Sequence, residues 1–79
     1  MAPLPFPRDL VLLQADWERT YAELIDGQRA PLGWAARSRL RYLSARLAAH
    51  PYWVARSGRM TGWADLRRQA RRFIEAEEA

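Results

Sequence analysis

Seventy-nine residues with thirteen arginines, nine acids, a net charge of +4 and no cysteine describe a small basic domain that no disulfide or thiolate zinc site can staple. A chain of this length buries only about 60% of its unfolded surface, so helix packing, large aromatic side chains or a partner must supply its stability. The longest strongly apolar run, "LVLL" at Leu10 to Leu13, is far short of the roughly 18 residues of a membrane span. The start "MAPLPFPRDL" lacks the pattern of a signal peptide. The expectation is a soluble, cytoplasmic protein with no membrane partner.

Pro3, Pro5 and Pro7 alternate at the start. Proline fixes φ and favours extended chain, so residues 1–6 read as an extended Pro-rich arm and residues 7–79 as a single domain. The first helix is predicted from about Pro7 to Asp26. Leu10, Leu13, Trp17, Tyr21 and Leu24 form one apolar stripe along it. Gly27 follows as a helix stop, and "GQRAPLG" is a turn-rich connection.

The second helix is predicted from about Leu32 to Ala49, with Ala36, Leu40, Leu43 and Leu47 as its main stripe. Its other side, Ala35, Ser38, Tyr42, Ala45 and Ala49, is weakly polar, which points to contacts on two sides. Arg37 and Arg41 flank one edge of it, and Arg39 and Arg46 the other. An internal neighbour is the favoured cover for that side, and a monomer is favoured over a homodimer. Pro51 ends the helix, and His50 is expected to cap its C-terminus as a cation.

Tyr52 and Trp53 are expected to fold back over the core, with Arg56, Ser57, Gly58 and Arg59 as an exposed tip. The third helix is predicted from near Thr61, as N-cap, toward Glu75. It buries Trp63, Leu66, Ala70, Phe73 and Ile74, and directs Arg67, Arg68, Arg71 and Arg72 outward. The acids of "EAEEA" oppose the helix dipole there, so the end should fray. No strand pattern occurs. The expected architecture is all-α, a small three-helix bundle in which Leu13, Trp17, Leu24, Leu40, Leu43, Leu47, Leu66 and Phe73 share one core.

Charge is unevenly placed. Residues 1–26 are net −3, residues 27–60 hold seven arginines and no acid, and residues 61–79 are neutral. His50 is the one side chain that titrates near neutrality in its ordinary state, and no nucleophile motif accompanies it. One His and no Cys also make a poor metal site. Asp9, Asp16 and Glu23 lie seven residues apart, too far along a helix to share an ion. The expectation is therefore no enzyme, no cofactor and no metal.

Two binding functions fit what remains. The first is a protein-interaction or regulatory accessory module that uses Phe6, Trp34, Tyr42, Tyr52 and Trp53, since aromatics and arginine dominate interface hot spots. The alternative is nucleic-acid binding through Arg37, Arg39, Arg41, Arg46, Arg56, Arg59, Arg67, Arg68, Arg71 and Arg72. About eleven residues separate the second and third predicted helices, against the three or four of a helix-turn-helix. The acids of the first helix could also neutralise the second from within the fold, with Arg39 and Arg46 pairing to Asp16 or Glu23. Absence of lysine and asparagine beside abundant Ala and Arg points to a G+C-rich bacterial genome. The stretches "PFPRDL", "HPYW" and "LRRQARR" resemble those of short uncharacterised helical proteins from high-G+C actinomycete-like bacteria. That resemblance implies a helical bacterial protein and no particular activity or site.

Overall fold

The computed structural model describes residues 6–26, 30–55 and 62–78. These residues are all-helical, with no strand among them. Four helices follow in order: α1 (Arg8–Asp26), α2 (Ala30–Ala48), α3 (Pro51–Val54) and α4 (Trp63–Glu78). The Pro-rich arm before Phe6, the tip with Arg56 and Arg59, and the Thr61 N-cap lie outside the described residues.

The three long helices begin and end within a few residues of their predicted bounds, the scatter usual at helix termini. The fourth is new. His50 adopts an extended backbone, which breaks α2, and Pro51 occupies the first position of α3, where its missing N–H costs nothing. The Trp53 and Val54 amides return to the His50 carbonyl. This single turn drives Trp53 into the centre of the molecule, where it is 0% exposed.

The central element is α1, with α2 and α4 each packed against it. Leu10, Val11, Leu47, Trp53 and Leu66 form the core, and Phe6, Leu13, Trp17, Tyr52, Trp63 and Phe73 pack around it. Leu43 is buried as expected. Leu24 and Leu40 are only half-buried and stand outside that cluster.

Because α1 is covered on two sides, its buried face keeps Leu10 of the predicted stripe and is otherwise rotated away from it. Leu10, Val11, Gln14, Ala15, Glu18 and Thr20 are buried, while Leu13, Trp17 and Leu24 sit on half-buried shoulders and Tyr21 is exposed. Thr20 satisfies its hydroxyl on the Asp16 carbonyl at 2.8 Å, the back-bond that lets a hydroxyl be buried within a helix.

Among the described residues, no internal neighbour covers the second side of α2. Ala35, Ser38, Tyr42, Ala45 and Ala49 are all exposed, since α4 packs on α1 and leaves the outer side of α2 uncovered. At the other end of the chain, helix α4 continues to Glu78 through the acidic stretch expected to fray, and Glu77 pairs there with Arg19.

Two glycines make opposite predictions. Gly62, immediately before α4, has φ +87°, a conformation costing an L-residue roughly 1–2 kcal/mol. Gly33 lies inside α2, and space for a Cβ is open at both positions. Gly62→Ala should lower stability by about 1 kcal/mol, and Gly33→Ala should raise it by up to about 1 kcal/mol. Urea unfolding of both variants checks the signs.

Candidate functional site

Three arrangements of polar and aromatic side chains deserve separation: one inside the fold, one at a helix junction and one on the surface. The internal one joins α1 to α4. Gln14 and Glu18 are four residues apart and therefore neighbours on one face of α1. Gln14 Nε2 donates to Glu18 Oε2 at 2.9 Å, and Trp63 Nε1 donates to Gln14 Oε1 at 2.9 Å. Arg67 Nε donates to Glu18 Oε2 at 2.7 Å and its Nη2 to Oε1 at 3.3 Å. Arg71 Nε reaches Glu18 Oε1 at 3.4 Å.

The Arg67 guanidinium lies 5.0 Å from the ring centre of Trp17, 5.2 Å from Trp63 and 5.9 Å from Tyr21. Trp17 stacks on Tyr21 and meets Trp63 edge-on. Its indole N–H donates to Ser44 Oγ of α2 at 3.0 Å, so one ring touches all three long helices. Burial raises the Glu18 carboxyl, but hydrogen bonds from Arg67 and Gln14 and the charges of Arg67 and Arg71 outweigh it and hold the group below its ordinary value. Arg67 is raised in return, chiefly by its bond to Glu18.

This corrects the reading of Arg67 as an outward basic group. Its charge is spent on Glu18 and its face is covered by aromatics. Arg71 is partly drawn in the same way. Gln14 and Glu18 escaped prediction because polar residues on a helix read as solvent-facing. Their spacing with Val11 and Ala15 (11, 14, 15, 18) nonetheless marks a continuous helical face.

The junction arrangement centres on His50. Its Nδ1 accepts the Tyr52 amide at 3.0 Å and its Nε2 lies 3.0 Å from Asp9 Oδ2. An amide can only donate, so Nδ1 holds the lone pair and Nε2 carries the proton toward Asp9. The Asp9 carboxyl lies below its ordinary value, first because of that bond. His50 therefore caps the N-terminus of α3 as a neutral ring, where the sequence suggests a cationic cap on α2.

The surface arrangement is the outer face of α2. Trp34 is 70% and Tyr42 56% exposed, and Ala35, Ser38, Ala45 and Ala49 lie exposed between and beside them. At 100° per residue these six share one side of the helix. Arg37 and Arg41 border that side, as do Arg46 and Arg39 across it. Arg39 is tied to Asp16 of α1 at 3.6 Å, as expected. Arg46 is not paired to Glu23: it donates to Tyr42 Oη at 3.0 Å, with its guanidinium 5.7 Å from the ring centre. Arg41 Nη2 reaches Ser38 Oγ at 3.5 Å, and among the described residues neither Arg41 nor Arg37 meets a carboxylate.

Of the predicted partner-binding aromatics, Trp34 and Tyr42 thus share an exposed face. Trp53 is fully buried, so it cannot contact a partner in this fold. Tyr52 and Phe6 are half-buried and pack on one another at 5.3 Å between ring centres. Of the basic candidates, Arg68 is paired to Asp65 and Arg72 is exposed. Among the described residues no group of three His, Asp or Glu side chains could hold a metal ion, and no helix is long and apolar enough to cross a membrane.

No curated protein and no solved structure matches the chain. Residues 9–69, more than three quarters of the sequence, match the family described as domain of unknown function DUF8825. That stretch takes in all of α2 and α3 and nearly all of α1, together with Gln14, Glu18, His50, Trp63 and Arg67, and so the chain belongs to the DUF8825 family.

Proposed function

We propose that this domain is a non-enzymatic protein-interaction module whose docking surface is the outer face of α2, and that its partner presents an acidic amphipathic helix. The observation that carries this reading is the exposure of Trp34 and Tyr42 within a strip of Ala and Ser, on a helix that contains no acid. Small residues let two helices approach closely. Two exposed aromatics offer the anchors that dominate interface energy. The arginines at both margins would meet carboxylates flanking the partner's apolar stripe. A second copy of this chain fits less well, because a two-fold pairing of this face sets arginine margins against each other.

Nucleic-acid binding is the second reading, favoured by Arg37 and Arg41, which have no carboxylate partner among the described residues. Titration against an 18-residue peptide with a Leu/Ala stripe and flanking glutamates, and against nonspecific duplex DNA, separates the two. The expected result is peptide binding that weakens about tenfold or more in Trp34→Ala/Tyr42→Ala. DNA binding that ignores this double change, and whose salt slope falls by about two contacts in Arg37→Gln/Arg41→Gln, would instead establish the second reading. A dimer mass in light scattering that Ala45→Glu abolishes would assign the face to self-association.

A further inference from the structure

We propose that the groove between the first turns of α1 and the second half of α4 binds a small amphiphilic carboxylate. The groove is half-open, encloses about 390 Å³, and is lined by Phe6, Arg8 and Leu12 on one side and Gln69, Arg72 and Phe73 on the other. That volume falls within the range of small-molecule sites. None of its lining residues belongs to α2, so the site is independent of the docking face described above.

The sequence builds it by matched spacing. Arg8 and Leu12 are four apart on α1, and Gln69 and Phe73 are four apart on α4 with Arg72 between them. Each helix therefore presents one guanidinium and one large apolar side chain to the same space. Val11, buried below, closes the apolar floor.

Charge argues for an anionic occupant. Helices α1 and α4 carry six arginines. Arg19, Arg67, Arg68 and Arg71 each have a carboxylate within 4.0 Å. Arg8 and Arg72 are the two without one among the described residues, and these two line the groove. A carboxylate in the groove would accept charge-assisted hydrogen bonds from guanidinium groups on both helices. Its apolar body would cover Phe6, Leu12 and Phe73, which otherwise meet water. A compact acyl or aryl chain fits this volume.

The test is titration of the full chain with octanoate, octanol, octylammonium and acetate, followed by amide and arginine side-chain NMR shifts. Octanoate should bind at least tenfold more tightly than each of the other three, with the largest shifts at Arg8, Leu12, Arg72 and Phe73. Arg72→Gln should weaken octanoate about tenfold, while Arg37→Gln on α2 leaves it unchanged. Both arginines are exposed, so the variants should retain the fold, and circular dichroism checks this. Equal binding of octanol would reduce the groove to an apolar patch and overturn the proposal. Equal binding of acetate would reduce it to a general anion site and overturn it as well, as would shifts centred on α2 or no saturation by octanoate at 10 mM, about the weakest affinity a built site should show.

Discussion

Trp53→Ala should cost about 3–5 kcal/mol, a large part of the total stability of a domain this small. Trp53 is wholly buried among Leu10, Val11, Leu47 and Leu66, with Tyr52 edge-on at 4.9 Å and Phe6 at 6.3 Å. No other side chain of α3 is fully buried, and Tyr52 packs only on the rim of the core. Losing the ring would open a cavity where α1, α2 and α4 converge. The indole N–H finds no hydrogen-bond partner among the described residues, so the energy resides in packing rather than in polar contacts. Trp53→Phe keeps most of the packing and removes an unsatisfied donor, and should cost about 1–2 kcal/mol. Urea unfolding of both variants gives the ordering. Equal losses for Phe and Ala would mean that the indole edge, not the ring volume, is what the core requires.

Much of this fold is legible in the sequence, for a definite reason. Leu40, Leu43 and Leu47, or Leu66, Ala70 and Phe73, repeat at helical spacing over many residues, and proline or glycine punctuates the ends. The turn α3 is not legible, because four residues cannot display a period. "HPYW" announces a helix stop and an aromatic plug, but not that the plug is itself a helical turn capped by His50. The outer face of α2 is half legible. Its second weakly polar side is plain from Ala35, Tyr42, Ala45 and Ala49. Whether another helix of the same chain covers it depends on which pairs pack, and a single helix's pattern does not encode that. The arginines show the same limit. Arg67 and Arg68 are adjacent and read alike, yet one turns toward Glu18 between three aromatic rings and the other toward Asp65 in solvent.

Glu18→Ala should cost about 3 kcal/mol, because it leaves the Arg67 guanidinium without its carboxylate among Trp17, Tyr21 and Trp63. The loss measures the orphaned charge rather than the worth of the pair. The triple change Glu18→Leu, Gln14→Leu, Arg67→Met removes the ion pair together with its bridging amide, leaves only the Trp63 indole N–H without its acceptor, and should be milder than Glu18→Ala alone. Dependence on pH identifies the mechanism. The Glu18 carboxyl is held below its ordinary value in the fold, so the unfolded chain binds its proton first as pH falls. Its contribution is therefore complete above the ordinary carboxylate range, near pH 4.3, and fades as pH drops through the lower folded value. The stability gap between the parent chain and Glu18→Ala should be full at pH 7 and should narrow below about pH 4. Added salt should hardly change that gap, since the Glu18 carboxylate is buried, whereas it should weaken the exposed Arg39–Asp16 pair. Urea unfolding at neutral and acid pH, each at low and high salt, reads all four conditions. A gap that is the same at pH 7 and pH 2.5 would show that Glu18 acts through packing and not through its charge.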